Sequence, residues 1–298
     1  MNAVAVALPD FDGLRVDEPM SKHTSWRVGG PADIFYKPAS ADELGRFLRE
    51  LPADMPVHFV GLGSNLLVRD GGIRGAVVVT TGLYRTLEQT GPLSVRAGAG
   101  VACTRLARRA VQWGLGPAEF FAGIPGTVGG ALTMNAGAFG GETWERVREI
   151  ETIGRDGVAR TRSPGDYTVG YRSVRGPAGE WFSAAMFEFE PGYEASVERM
   201  EAMVARRKAT QPLGVPSCGS VFRNPDGDHA ARLIEAAGLK GFRVGAAEVS
   251  PKHANFVVNT GAATAADIEA VINHVLATVE TIHGVRLQHE VRMLGEPA

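Results

Sequence analysis

Two glycine-rich stretches are the parts of this sequence whose composition points most directly to chemistry. The first is Gly61-Leu62-Gly63-Ser64-Asn65, and the second runs from Gly123 to Gly130. A pyrophosphate needs several backbone N–H groups directed at one point without intervening side chains, which glycine permits and a helix N-terminus supplements. The two stretches therefore predict a site for a phosphate-bearing ligand.

Each stretch also has a purely structural explanation. Ser64 and Asn65 could simply cap a turn after a strand, and the second stretch could reflect β-bulges or closely packed strands. Neither stretch contains Gly-Lys-Ser/Thr, so the lysine that engages a nucleotide triphosphate in a P-loop is missing. The Gly-x-Gly-x-x-Gly pattern of a Rossmann site, with its acidic residue about 20 positions later, is missing as well.

Overall charge and cysteine content narrow the functional classes. The chain has 298 residues, with 31 Lys and Arg against 33 Asp and Glu, so its net charge does not favour nucleic acid or an anionic membrane as a partner. Cys103 and Cys218 have neither metal-ligand spacing nor the pattern of a disulfide framework. We therefore expect no bound metal and a reducing compartment.

The N-terminal segment is apolar from Met1 to Leu8 but lacks a basic flank and soon reaches Pro9. It does not have the pattern of a signal peptide, and no apolar run approaches the ~20 residues that cross a bilayer. We expect a cytoplasmic protein without membrane insertion.

The elements that would position the glycine-rich stretches are short strands and capped helices. Segments that are rich in β-favouring residues and bounded by Gly, Pro or Asp predict strands at 58–60, 76–80, 93–96 and 181–189. Apolar periodicity flanked by capping residues predicts helices at 41–51 and 101–113. Beyond a turn near 192–196, helices are predicted at about 196–208, 230–237 and 265–283, and strands at 255–259 and 287–294. This change of pattern predicts two domains, 1–194 and 195–298.

Further motifs extend over almost the whole chain, from about Met20 to Leu294. They are His23 to Ala32, Tyr171-Arg172, Gln211 to Leu213, Gly219 to Pro225, Ala231 to Gly241, His253 to Phe256 and Glu290-Val291. With the two glycine-rich stretches, this series resembles the UDP-N-acetylenolpyruvoylglucosamine reductase (MurB) family of bacterial peptidoglycan synthesis. The resemblance implies an α+β fold, in which a two-lobed FAD-binding module of the vanillyl-alcohol-oxidase type is followed by a smaller substrate-binding lobe.

The resemblance also implies a reaction and a cofactor site. NADPH would reduce a non-covalently bound FAD, which then reduces the enolpyruvyl ether of UDP-N-acetylglucosamine to a lactyl ether. The implied FAD-binding residues are Tyr36, Pro38, Ala39, Ser40, Gly61, Gly63, Ser64, Asn65, Gly123, Ile124, Gly126, Thr127, Gly129 and Gly130.

Three residues match the family's catalytic positions. Ser220 matches the serine that donates a proton to carbon, although a serine after Gly219 could equally cap a turn. Arg172 matches the arginine that faces the substrate carboxylate, a task suited to a planar fork. Glu290 matches the glutamate near the enolate, as hydrogen-bonded support or, if burial raises its pKa, as an acid. Its neighbour His289 would face the opposite side of a strand.

Two further residues match substrate-binding positions, each with a structural alternative. Lys208 matches the family's lysine for the diphosphate, but cations at a helix end also favour the macrodipole. Asn224 matches a substrate-binding asparagine, but Pro225 after it also indicates a turn.

The sequence differs from longer members of the family in one region. The interval from Tyr171 to Gly192 leaves no room for the inserted loop whose tyrosine closes on the diphosphate, so the chain resembles the shorter subclass. Two other functions stay open: an FAD-dependent oxidase of the same superfamily, and a non-catalytic nucleotide-binding module. We expect a monomer that binds a UDP-sugar and NADPH.

Overall fold

A computed structural model of the protein describes residues 11–298, so the apolar segment Met1–Leu8 lies outside the described residues. Six α-helices lie in this part of the chain: α1 (Ala41–Glu50), α2 (Cys103–Gln112), α3 (Val128–Met134), α4 (Val197–Thr210), α5 (Ala230–Ala236) and α6 (Ala265–His283). Among the described residues, no helix is both long and apolar enough to cross a membrane.

The described strands are mostly short. In chain order they are β1 (Leu14–Pro19), β2 (Pro31–Tyr36), β3 (Val57–Val60), β4 (Leu66–Val68), β5 (Ile73–Val79), β6 (Leu87–Gln89), β7 (Ser94–Gly98), β8 (Gly137–Ala138), β9 (Gly141–Glu142), β10 (Val147–Gly154), β11 (Ala159–Arg162), β12 (Thr168–Gly170), β13 (Ser173–Arg175), β14 (Glu180–Glu188), β15 (Arg243–Val244), β16 (Ala247–Val249), β17 (Val257–Asn259) and β18 (Arg292–Leu294).

The described chain divides into two compact units, and it passes between them at residues 15–16, 34–35, 61–62, 75–76 and 207–208. The first unit comprises 11–15, Phe35–Gly61 and Ala76–Arg207, and the second comprises Val16–Ile34, Leu62–Gly75 and Lys208–Ala298. The boundary between residues 194 and 195 stays a prediction about functional domains.

The first unit is organised around a five-stranded antiparallel sheet of order β11-β10-β14-β7-β6. Helices α2 and α3 pack on it through a core that includes Val95, Leu106, Phe121 and Phe187. Helix α1 begins where the sequence predicts it, because Ser40 Oγ accepts the Glu43 N–H at 3.1 Å. Parallel pairing of β3 with β5 then sets the direction in which the chain enters the first glycine-rich stretch.

The second unit is centred on α6, whose buried stripe includes Ile268, Val271, Ile272 and Val275. Thr264 and Asp267 form a capping box at its start, and Gly284 ends it in the left-handed region at φ +67°. The sheet β15-β16-β17 and the parallel pair β18-β4 belong to the same unit.

One helix was not predicted from the sequence, and one predicted strand is wrong. The second glycine-rich stretch runs into helix α3, which begins at Val128 with Thr127 as its N-cap. The final strand covers Arg292–Leu294 rather than 287–294, because the backbone of residues 288–291 pairs with the segment that carries Val221 and Arg223.

Candidate active site

The two glycine-rich stretches meet at Gly61 and Thr127. Gly61 follows β3, and the Thr127 hydroxyl caps α3 by accepting the Gly130 N–H at 3.5 Å. A Cβ built at Gly61 would lie 2.6 Å from Thr127 Oγ1, closer than real Cβ atoms come. Gly61 is therefore glycine because the end of β3 lies directly against the start of α3.

Several glycines of the second stretch are explained by the protein itself. A Cβ at Gly123 would lie 2.5 Å from the Phe139 ring, and one at Gly129 would lie 3.0 Å from Ala99. Gly126 has φ +136°, a conformation that L-residues rarely adopt. The N–H groups of Val128 and Gly129 donate to the carbonyls of Val101 and Ala99, so these two amides are directed inward.

Gly130 is the exception in this stretch. It is exposed, and a Cβ built there would meet only Thr127 Oγ1, at 3.9 Å. The protein has room for a side chain at this position, yet the sequence has none. Packing within the described residues therefore does not explain the glycine at this position.

The segment 36–40, whose role at the cofactor stays a prediction, makes contacts within the first unit. The Tyr36 side chain is fully buried, with its ring 4.3 Å from Phe47 and 5.5 Å from Phe11, and burial raises its pKa to about 12. The Tyr36 ring therefore belongs to the core beside α1. Pro38 is buried, Ala39 is exposed and donates its N–H to Glu43, and the exposed Ser40 caps α1.

Arg172 lies in the two-residue turn that joins β12 and β13. Its backbone is in the left-handed region at φ +52°, which is disfavoured for a residue with a Cβ. The guanidinium is largely buried, and Nη2 donates to the Gly137 carbonyl at 3.0 Å. Arg175, three residues further along the chain, is exposed on β13.

In the second unit, the first glycine-rich stretch converges with two distant segments. The Gly63 carbonyl accepts from the Ser25 N–H at 3.1 Å and from the Cys218 thiol at 3.7 Å, and a Cβ at Gly63 would clash with His23 at 2.1 Å. Asn65 Nδ2 donates to the Glu290 carbonyl at 3.0 Å. Asn65 therefore links this stretch to the segment that carries Glu290.

Ser220 and Glu290 lie on neighbouring segments of the second unit. The Glu290 N–H donates to the carbonyl of Val221, the residue after Ser220, at 2.8 Å. Both side chains are half-buried, as is Ser64. His289 instead bridges to Phe222, with ring centroids 5.9 Å apart, and burial lowers its pKa. The backbone thus places the segments that carry the predicted proton donor and the predicted glutamate side by side.

Lys208 and Asn224 lie on other elements of this unit, and both are exposed. Lys208 is in the last turn of α4, where its carbonyl accepts from Lys252 Nζ at 2.8 Å. Asn224 Oδ1 accepts the Ala230 N–H at 3.1 Å, so Asn224 caps the start of α5.

Two residues that contact Arg172 were missed from the sequence. Asn135 ends α3 in the left-handed region at φ +44°, and Glu142 ends β9. Both lie in or beside residues 135–141, a further glycine-rich segment after the second stretch, where an asparagine is easily interpreted as another turn residue. An asparagine directly after an apolar helical segment was the available signal, and recognising it required predicting α3 first.

Comparison with known proteins matches both halves of the described chain. Residues 32–162 match the model of an FAD binding domain, and residues 211–294 match that of the UDP-N-acetylenolpyruvoylglucosamine reductase C-terminal domain. The reductase of Alkalilimnicola ehrlichii is 61% identical over 284 residues, which is 95% of each chain. The chain belongs to the UDP-N-acetylenolpyruvoylglucosamine reductase family.

Two further reductases of this family are similar to the chain over almost its whole length. The reductase of Methylococcus capsulatus is 56% identical and covers 99% of this chain and 97% of its own. The crystal structure of the Thermus caldophilus reductase (MurB) superposes with a TM-score of 0.81 at 32% identity, covering 95% of this chain and all of that one. The expected fold, an FAD-binding module followed by the reductase C-terminal domain, is confirmed, and so is FAD as the expected cofactor.

The two matched ranges divide the candidate residues of this reductase family member. The FAD binding domain contains the segment 36–40 and both glycine-rich stretches, and the C-terminal domain contains Ser220, Asn224 and Glu290. Arg172 and Lys208 lie between the two ranges, so only their structural surroundings support a role.

Proposed function

We propose that this protein reduces the enolpyruvyl ether of UDP-N-acetylglucosamine enolpyruvate to the lactyl ether of UDP-N-acetylmuramate, with FAD as cofactor and NADPH as reductant. The observation that carries the proposal is the 61% identity with a named reductase over 95% of both chains. In the second unit, Asn65 and the segment of Ser220 both contact the backbone of Glu290, and this arrangement supports a reaction that uses these residues.

The residues of the first unit fit a dinucleotide cofactor. The exposed Gly130, with room for a Cβ that the sequence leaves out, allows the cofactor to approach the first turn of α3 closely, and Gly61 lies against Thr127, the N-cap of this helix. Bound flavin supplies hydride transfer between NADPH and the substrate. Cys103 is fully buried and burial raises its pKa to about 12, so its thiol stays neutral and unreactive, which supports a non-covalent cofactor.

The chain's own residues have to bind the substrate carboxylate and deliver one proton. Arg172 suits the carboxylate, because its guanidinium is fixed and can engage two oxygens at once. Ser220 donates the proton to the carbon next to the one that accepts hydride. Glu290 acts as hydrogen-bonded support or, in its protonated form, as an acid that stabilises the enolate through its O–H. Lys208 binds the diphosphate part of the substrate. Asn224, whose Oδ1 already accepts from the Ala230 N–H, contributes its amide group to substrate binding.

Two finer features belong to the same proposal. We place the enzyme in the cytoplasm as a monomer, since its net charge of −2 favours neither nucleic acid nor a membrane surface. We also assign it to the subclass without the inserted tyrosine loop, because β13 and β14 occupy the interval after Arg172.

The function is tested by reducing the purified enzyme with NADPH without oxygen and following flavin absorbance on mixing with UDP-N-acetylglucosamine enolpyruvate or with oxygen. We expect much faster reoxidation by the sugar nucleotide. In Ser220→Ala, reduction by NADPH should be unchanged while reoxidation slows by roughly 100- to 10,000-fold, the usual contribution of a positioned acid.

Three outcomes would contradict the proposal. Faster reoxidation by oxygen would identify an oxidase, and a protein that cannot be reconstituted with FAD would identify a binding module without flavin chemistry. Unchanged rates for both half-reactions in Ser220→Ala would remove Ser220 as the proton donor.

A further inference from the structure

Arg172 packs against a pair of polar residues, Asn135 and Glu142, here called the Asn135–Glu142 clamp. Arg172 Nη1 donates to the Asn135 carbonyl at 3.2 Å and to Glu142 Oε1 at 3.3 Å. Asn135 Nδ2 donates to the other carboxylate oxygen, Glu142 Oε2, at 2.8 Å. The Glu142 carboxylate is thus fixed by Asn135 while it contacts the guanidinium.

The clamp is itself anchored to two neighbouring segments through Asn135. Asn135 Oδ1 accepts the Trp144 N–H at 3.1 Å, and Asn135 Nδ2 also donates to the Gly170 carbonyl at 3.2 Å, at the end of β12. Asn135 is 3% exposed, so these bonds are shielded from water. The end of α3, the strand β9 and the β12–β13 hairpin are therefore held together around Arg172.

The backbone around the clamp is held in unfavourable conformations. The non-glycine residues with left-handed φ in the described chain are six, and Asn135, Phe139 and Arg172 are three of them. A two-residue turn can usually avoid such strain by placing glycine there. Strain that persists beside a fixed ion pair is typical of positions where orientation matters for function.

We propose that Glu142, held in place by Asn135, is a positioning residue that orients the Arg172 guanidinium toward the substrate carboxylate, an inference that rests on the proposed function. Glu142 is not expected to touch the substrate. It fixes the plane of the guanidinium and offsets part of its charge. Its loss therefore disturbs the geometry of the reacting complex more than the strength of substrate binding.

Glu142→Gln tests this, with Glu145→Gln as the matched control. Glu145 lies three residues further on and its carboxylate accepts the Glu142 N–H at 3.2 Å, so this control removes one charge from the same turn without touching Arg172. In Glu142→Gln we expect unchanged FAD content and NADPH reduction. The limiting rate of reoxidation by UDP-N-acetylglucosamine enolpyruvate should fall about 10- to 100-fold, with little change in the substrate concentration that gives half of that rate. Glu145→Gln should match the wild type.

Asn135→Gly gives a second test that tolerates the left-handed backbone. It removes the bonds from Nδ2, and we expect the same selective loss. A double mutant separates positioning from bulk structure: on an Arg172→Lys background, Glu142→Gln should cause little additional loss, since Glu142 acts through Arg172.

Wild-type reoxidation rates in Glu142→Gln would overturn the inference, as would an equal, independent loss on the Arg172→Lys background. A wild-type enzyme that the enolpyruvyl sugar nucleotide does not reoxidise would instead overturn the proposed function. The two failures are therefore distinguishable.

Discussion

Gly129 and Gly130 are adjacent in sequence and differ in why they are glycine. Ala99 leaves no room for a side chain at Gly129, whereas a Cβ at Gly130 would be exposed and nearly free of contacts. A glycine-rich sequence alone cannot separate these two cases, because both satisfy the same pattern. The distinction identifies Gly130 as the position where cofactor binding can be tested without disturbing the fold.

Gly130→Ala should have opposite effects on stability and on cofactor binding. Alanine in a helix is favoured over glycine by about 0.5–1 kcal/mol, so the FAD-free protein should become more stable. A methyl group in the path of the cofactor costs about 1–3 kcal/mol, which corresponds to roughly 5- to 150-fold weaker FAD binding. Thermal unfolding of the FAD-free protein and FAD titration measure the two effects.

Gly91→Ala is the control, because its Cβ would meet Ser94 at an ordinary 3.7 Å. It should leave FAD affinity at the wild-type value. If Gly130→Ala also binds FAD with wild-type affinity, the first turn of α3 does not contact the cofactor.

Several side-chain hydrogen bonds fix the start of helix α6. Besides its Thr264–Asp267 capping box, the two carboxylate oxygens of Asp70 accept the N–H groups of Ala265 at 3.0 Å and Ala266 at 2.9 Å. A carboxylate at this end accepts from two N–H groups that have no partner within the helix, and its negative charge interacts favourably with the positive end of the helix dipole. Asp70 thereby ties the segment after β4 to a helix almost 200 residues further along the chain.

Asp70→Ala should lower the free energy of unfolding by about 1–2 kcal/mol, the usual cost of losing a helix cap. Chemical denaturation measures it, with Asp226→Ala, in an exposed turn, as the reference substitution. Equal unfolding midpoints for the two variants would show that Thr264 and Asp267 suffice to start the helix.

The sequence predicts best those helices whose capping residue and apolar stripe both lie within the helical segment or directly beside it. Helices α1 and α6 begin at the predicted residues because Ser40 and Thr264 cap them. Helix α3 escaped prediction because Gly129 and Gly130 occupy its first turn, and no apolar periodicity identifies so short a helix.

The candidate site was predictable only in part, for the same reason. The glycine-rich stretches could be interpreted from their composition, but the proximity of Ser220 to Glu290 depends on backbone pairing across 70 residues. No local pattern contains that pairing, and the resemblance to a family supplied it. The Asn135–Glu142 clamp was missed because it depends on a side-chain geometry that only the structure contains.

Both units contain groups that make the folded protein sensitive to acid. Burial lowers the pKa of His58 in the first unit and of His253 and His289 in the second. Hydrogen bonds from Arg162 and Arg69 lower the pKa of Glu180 and Glu269, respectively. In each case the unfolded chain binds protons more readily than the folded chain does, so stability is lost as pH falls.

We expect the melting temperature to fall as pH drops below about 6.5, where unfolded histidines begin to protonate, and to fall further below about 4.3, where unfolded glutamates follow. Differential scanning calorimetry from pH 8 to about pH 3 measures both declines. His58→Gln should make the first decline shallower. A melting temperature that is constant between pH 7 and pH 5 would contradict the histidine contribution.

Trp26 donates its indole N–H to the Val257 carbonyl at 2.7 Å, across 231 positions of the chain. During translation at about 5–20 residues per second, that acceptor is synthesised roughly 10–50 s after the indole. The core around Trp26 also needs Leu287 and Val291, which are made later still. On the ribosome, the core of the second unit therefore stays incomplete until Val291 has been synthesised, and the apolar side chains of Trp26, Val28 and Leu67 wait that long for their late partners.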